Sequence, residues 1–156
     1  MRLRPAEVRD IPRIGELLLQ VNNVHAQGRP DLFIPDRRKY TDAELKAILA
    51  DPMNPVYVAE DNAGTVQGYA FCQLEAIPAG GNLVPRRHCY IDDICVDQCA
   101  RRQGFGKALY DYTLEQARAW GCYHVTLNVW SLNPGALAFY EACGMKPLKT
   151  VMETVL

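Results

Sequence analysis

Apolar residues along the chain recur at two different periods, and the alternation of those periods outlines a fold. Ile11, Ile14, Leu17, Leu18 and Val21 have the three-and-four spacing of one helix face, with Asp10 in position to cap it. Leu45, Ile48 and Leu49 form a shorter stripe. It is opened by the capping-box sequence Thr41-Asp42-Ala43-Glu44 and stopped at Asp51-Pro52. Phe105, Ala108, Leu109, Tyr112, Ala119 and Trp120 mark a third helix from Phe105 to Trp120, interrupted by Gln116 and ended by Gly121. Asn133-Pro134 reads as N-cap plus first-turn proline for a fourth helix, which runs to Cys143 before Gly144. Strand patterns lie between these helices: Met1 to Glu7, Val56 to Ala59, Val66 to Leu74, Arg87 to Val96, Tyr123 to Trp130 and Leu148 to Leu156. Asp61-Asn62-Ala63-Gly64 makes a hairpin of the second and third, whereas His25 to Pro35 and Ile77 to Pro85 read as loops. No repeat or linker breaks the pattern. One mixed α and β domain over residues 1–156, around a sheet with an antiparallel central hairpin, is expected.

Composition narrows the function. The formal net charge is −1 and no like-charge run exceeds Arg37-Arg38-Lys39, which disfavours a general nucleic-acid binder. No apolar run approaches the roughly 20 residues of a membrane span, and Met1-Arg-Leu-Arg-Pro5 lacks the core of a signal peptide, so a cytoplasmic setting is expected. The six cysteines, at 72, 89, 95, 99, 122 and 143, form no C-x-x-C pair. They read as thiols in a reducing compartment rather than as a metal or disulfide framework.

The chemistry concentrates at Arg101-Arg102-Gln103-Gly104-Phe105-Gly106-Lys107, between a strand and a helix start. The first amides of a helix lack internal acceptors and its dipole favours an anion there, while glycines let that anion approach the backbone. Arg101, Arg102 and Lys107 add positive charge, so the corner suits a pyrophosphate. It is not a nucleotide P-loop: Phe105 alone separates the two glycines and Ala108 follows Lys107. In the preceding strand, Asp92 and Asp93 stand among apolar residues, where carboxylates are costly unless paired or used. Strict alternation puts them on opposite faces, so that one of them faces a cleft, with Arg86 or Arg87 as salt-bridge partners in a purely structural role.

Arg101-x-x-Gly104-x-Gly106, together with Leu127 to Met145 carrying Asn133, Pro134, Ala136, Phe139, Tyr140 and Gly144, resembles the two hallmark blocks of the GNAT superfamily of acetyl-CoA-dependent N-acetyltransferases. The resemblance covers roughly residues 88 to 156. It implies a GNAT-like α+β fold: a splayed, mostly antiparallel sheet of six or seven strands flanked by about four helices. It further implies that the backbone of Ile94, Cys95 and Val96 hydrogen-bonds the pantetheine arm of acetyl-CoA, that amides from Arg102 to Lys107 hold the pyrophosphate, and that Asn133 and Tyr140 approach from the other side. Tyr140 would protonate the leaving thiolate, an amide near Ile94 would polarise the thioester, and Asp92 or Asp93 would accept the amine proton. Tyr90-Ile-Asp-Asp-Ile-Cys-Val96 is similar to the acidic strand of polyamine acetyltransferases, whose working carboxylate matches Asp92. Asn128 stands where N-terminal acetyltransferases of the superfamily carry Glu.

The expected activity is direct transfer of acetyl from acetyl-CoA to a primary amine of a small molecule or peptide, in a ternary complex and without a metal. Cys95 and Cys143 leave an acetyl-cysteine route open. A non-catalytic acyl-CoA sensor is the alternative, and it would need neither Tyr140 nor the acidic pair. The connection between the first two helices lines the acceptor side in this superfamily, which nominates His25, Arg29, Asp31 and Phe33. Homodimers occur there too, and the last strand offers a seam for one. His88 and His124 read as structural.

Overall fold

The computed structural model describes residues 1–156. One sheet of five strands runs in the order β1 (Arg2–Pro5), β2 (Val56–Glu60), β3 (Val66–Ile77), β4 (Arg86–Val96) and β5 (Cys122–Leu127). The first three pairings are antiparallel and β4 with β5 is parallel. The helices are α1 (Ile11–Gly28), α2 (Asp42–Ala50), α3 (Phe105–Ala119) and α4 (Pro134–Ala142). This is the expected mixed, mostly antiparallel fold, with five strands in place of six or seven. The missing strand is Leu148 to Leu156. That segment has no regular structure and its apolar side chains are exposed, Val151 to 83%. It leaves the outer edge of β5 unpaired and is tethered instead by Arg29, whose guanidinium donates to Glu153 at 2.8 and 2.9 Å.

Two cores sit on the two sheet faces. Ile14, Leu17 and Leu18 of α1 and Leu45 of α2 pack on Val58, Tyr69 and Phe71, whereas Leu109, Tyr110 and Ala117 of α3 pack on Ala59, Ala70 and Ile91 with Tyr140 of α4. Gly68 permits the second docking: a Cβ there would lie 2.6 Å from the Cys95 carbonyl and 3.0 Å from Leu109 Cδ1.

Arg4 fastens β1 to β2 and to the start of α1. Its guanidinium donates to Asp10 at 2.6 and 2.9 Å, to the Pro5 carbonyl at 3.0 Å and to Glu60 at 2.9 Å, with a second, shorter bond to Glu60. All three charged side chains are buried. Burial pushes the Asp10 carboxyl up, but Arg4 and the Glu7 amide outweigh it and hold it below the usual range. Asp10 therefore does not cap α1 with its side chain, as the pattern suggested. The helix also runs past the expected loop start, so His25 lies in its last turn.

Candidate active site

The sheet splits at its β4–β5 seam. The two strands pair from Arg87 with Cys122 to Ile91 with Leu127, where β5 ends. Beyond that point β4 continues from Asp92 to Val96, bonded to β3 on one side and open on the other. An exposed strand edge offers amides and carbonyls to any extended ligand that carries its own.

The open edge leads into the glycine corner. Asp97 accepts from the Cys99 amide at 2.8 Å and turns the chain through a short 3-10 segment, Gln98–Ala100. Arg102 (φ 62°) and Gly104 (φ 87°) are then both left-handed. Nothing lies within 4 Å of an ideal Cβ on Gly104, so its backbone angle, not space, calls for glycine there. In α3 the first intrahelical bond is Ala108 N–H to the Gly104 carbonyl, 3.0 Å, and no side chain caps the helix. The amides of Phe105, Gly106 and Lys107 thus remain available at the positive end of the dipole, which fits a diphosphate. Lys107 contributes less charge than its position suggests, because it pairs with Asp111 at 2.5 Å. Arg101 and Arg102 are exposed, and Gln103 folds back onto the Cys99 carbonyl at 3.2 Å.

Asp92 and Asp93 sit where β4 carries one residue too many. Phe71 faces Asp93 and Cys72 faces Ile91, so Asp92 has no partner and the strand bulges. The extra residue resets the alternation. Ile91 and Ile94 both pack toward α3, and both aspartates lie on the α1–α2 side, correcting the expectation of opposite faces. Asp93 accepts a 2.8 Å bond from the buried Tyr69 hydroxyl. Burial pushes its carboxyl up to about 6, with Tyr69 and Lys39 opposing. Asp92 accepts from Lys39 Nζ at 2.6 Å and from the Tyr40 hydroxyl at 3.0 Å. Arg86 and Arg87 are not its partners. They donate to the Val84 and Trp120 carbonyls at 3.0 and 2.8 Å.

Tyr140 is buried on α4, and burial, then the nearby charge of Asp93, raises its phenol above the usual range. Burial likewise lifts the Cys95 thiol to about 12, and Cys95 faces α1, within 3.7 Å of the Leu17 carbonyl. A thiol so protonated and so turned is a poor nucleophile, and the half-buried Cys143 is raised by burial too.

Across the gap, three rings converge: His25 with Phe33 at 5.1 Å, Phe33 with Trp130 at 5.3 Å and His25 with Trp130 at 6.2 Å between centroids. They line a cavity of about 40 Å³ that Asn133, Arg29 and Leu132 also border. Of the residues nominated for the acceptor side, His25, Arg29 and Phe33 meet at this cavity, while Asp31 stands outside that lining, bonded to Arg29 at 2.7 Å. Burial, then Lys39, lowers the His25 pKa and favours the neutral ring. Trp130 and Leu132 were not foreseen; their signal is an apolar pair in the turn just before the Asn133 cap. Asn133 caps α4 through its side-chain oxygen, 3.1 Å from the Ala136 amide, which leaves its amide nitrogen for the cleft. His88 bridges Glu75 and Thr126 at 3.2 and 2.6 Å, the structural role expected of it. No helix is long and apolar enough to cross a membrane.

Known proteins share this architecture. The profile of the acetyltransferase (GNAT) family matches residues 18–145. The chain is 34% identical over 150 residues to glucosamine 6-phosphate N-acetyltransferase 1 of Oryza sativa subsp. japonica, covering 92% of this chain and 79% of that one. A mutant of the BH1408 protein of Bacillus halodurans superposes with TM-score 0.95 at 28% identity, over 100% of this chain and 99% of that one. Glucosamine-6-phosphate N-acetyltransferase of Arabidopsis thaliana has the same fold, with TM-score 0.72 at 22% identity over 99% and 97% of the two chains. A sheet parted beside an uncapped helix start is thus explained by descent as well as by physics: the chain belongs to the GNAT acetyltransferases, enzymes that transfer an acetyl group to an amine.

Proposed function

We propose that the chain, acting as one domain, binds acetyl-CoA along the open edge of β4 and passes the acetyl group directly to a primary amine of a small molecule or peptide. The observation that carries this reading is the open edge of β4 beyond Ile91, with the Asp93 carboxyl, which burial pushes up to about 6, at the bulge where that edge begins. The amides of Phe105, Gly106 and Lys107, with Arg101 and Arg102, hold the diphosphate. The backbone of Ile94, Cys95 and Val96 takes the pantetheine amides as a further strand would, with Asn133 opposite. An amide near Ile94 donates to the thioester oxygen. Asp93 accepts the amine proton, whereas Asp92 is already engaged by Lys39 and Tyr40. Tyr140, kept protonated by its burial, donates to the departing sulfur.

His25, Phe33 and Trp130 form the acceptor wall, with Arg29 and Asp31 at its rim. Aromatic faces suit the apolar side of a sugar ring or an alkyl amine. Hexosamine phosphates head the panel to be tried, since the rice relative is named for glucosamine 6-phosphate. The exposed tail from Leu148 and the unpaired edge of β5 support a homodimer in which each tail pairs with its partner's edge; light scattering that finds only monomer would remove it. The free thiols suit a reducing, cytoplasmic setting.

The test is release of coenzyme A from acetyl-CoA over an amine panel. At least one amine should be turned over, and Tyr140→Phe should lower kcat by roughly 10²-fold or more with acetyl-CoA binding retained. Binding without turnover of any amine would return the chain to the acyl-CoA sensor reading, and absence of binding would remove both.

A further inference from the structure

Lys39 lies on the connector between α1 and α2 and reaches over the bulge, its Nζ 2.6 Å from Asp92 Oδ2. Tyr40 donates to the same oxygen at 3.0 Å, and its ring packs 5.7 Å from that of Phe71 on β3, which pins the connector there. Lys39 is also close enough to Asp93 to pull its carboxyl down. A lysine ends in a primary ammonium, the group that an acceptor must present to these same carboxylates. The ammonium is therefore an internal stand-in for the acceptor.

We infer that Lys39 is a substrate of the chain's own site: with acetyl-CoA bound and no acceptor present, its Nζ is acetylated in cis. The inference rests on the acetyl-transfer reading above. In the step, Lys39 Nζ loses a proton by way of Asp93 to water and attacks the acetyl carbonyl. The N–C bond forms and the C–S bond breaks. The thiolate takes a proton from Tyr140, which is made good by the second proton leaving Nζ. The products are acetyl-lysine and coenzyme A. The modified side chain has no charge, so its ion pair with Asp92 is lost and the connector loses one of its two ties to the bulge.

The reaction is slow. Burial draws the Lys39 ammonium down, but the hydrogen bond and charge of Asp92 outweigh it and leave it above the usual lysine range. Its rate therefore rises with pH, and an accepted amine, which competes for the same carboxylates, suppresses it. Lys46, Lys107, Lys146 and Lys149 serve as internal controls for chemical acetylation; Lys107 is tied to Asp111 on α3.

The experiment incubates the purified chain with acetyl-CoA alone and maps acetyl groups by peptide mass spectrometry. Lys39 should carry acetyl in preference to each other lysine by roughly tenfold or more, because a held nucleophile outruns a collisional one. The first-order rate should be independent of protein concentration, and Tyr140→Phe should abolish the preference. Lys39→Arg keeps a cation beside Asp92 but removes the acetylatable nitrogen, and its intact mass should gain acetyl only at the slow rate of the other four lysines under the same conditions. Acetyl spread evenly over the lysines, or absent from Lys39, in a preparation that turns over an added amine overturns the inference alone. A preparation that labels nothing and turns over no amine overturns the acetyl-transfer reading with it.

Discussion

Tyr69→Phe isolates one interaction at the candidate base. The phenol is completely buried and donates at 2.8 Å to Asp93, while its ring packs 5.0 Å from Phe71. The substitution deletes a single oxygen and keeps the ring. That bond favours the ionised carboxylate, so its loss raises the carboxyl further. A hydrogen bond to a charged group is worth about 1.5–3 kcal/mol and one pH unit corresponds to about 1.4 kcal/mol, so Asp93 should titrate roughly one to two pH units higher. A general base works only when deprotonated. The acidic limb of kcat/KM, near pH 6 in the parent from the value of about 6 at Asp93, should move up to roughly pH 7–8. At pH 6 the variant should lose roughly five- to fiftyfold in kcat/KM, and well above pH 8 it should approach the parent. The assay is coenzyme A release across pH with one amine for both proteins, so that the ionisation of the amine cancels in the ratio. Thermal unfolding of each confirms that the ring still packs. An unmoved limb, or a loss equal at every pH, would show that Asp93 is not the group whose ionisation controls turnover.

Two further outcomes follow from the charges. The folded carboxyl of Asp93 holds its proton more tightly than the unfolded one, so its favourable contribution is complete below the ordinary aspartate range and fades as pH rises through about 6. Asp93→Asn should therefore raise Tm at neutral pH relative to the parent, lose that advantage in acid, and reduce turnover by roughly 10²-fold or more; a lower Tm at neutral pH contradicts this. Arg4→Met strands two buried carboxylates, Asp10 and Glu60, and should cost about 3–5 kcal/mol in urea unfolding, with a loss below about 1 kcal/mol showing that the cluster is solvated.

Local order was readable because it is written in local signals. The Thr41–Glu44 capping box forms as its letters indicate, with Thr41 N–H on Glu44 at 2.7 Å and Glu44 N–H on Thr41 at 3.3 Å. Asp61 closes the β2–β3 turn by accepting from Ala63 and Thr65 at 2.8 and 3.0 Å. What was not readable depends on a second segment. The bulge exists only relative to β3, so β4 alone cannot reveal it. Leu148 to Leu156 has the composition of a strand, but a strand exists only where it pairs, and here this segment pairs with none of the five. His25 and Trp130 are far apart in sequence and meet because α1 continues about two turns beyond Val21, the last residue of its apolar stripe. The glycine corner was legible for the opposite reason: every amide in it comes from one short stretch.

The unmatched residue in β4 is what lets two successive side chains share one side of the strand. Other side chains can occupy positions 92 and 93 and still face the connector, and excising either one straightens the strand without exchanging its sides: Ile91 stays opposite Cys72, the remaining residue falls opposite Phe71 and Ile94 stays opposite Ala70. Both isoleucines keep facing α3, and what is lost is the local bend and one of the two carboxylates that stand side by side on the α1–α2 side. A single-codon deletion here should therefore leave the sheet paired and cost the site one carboxylate, which thermal unfolding and turnover would separate.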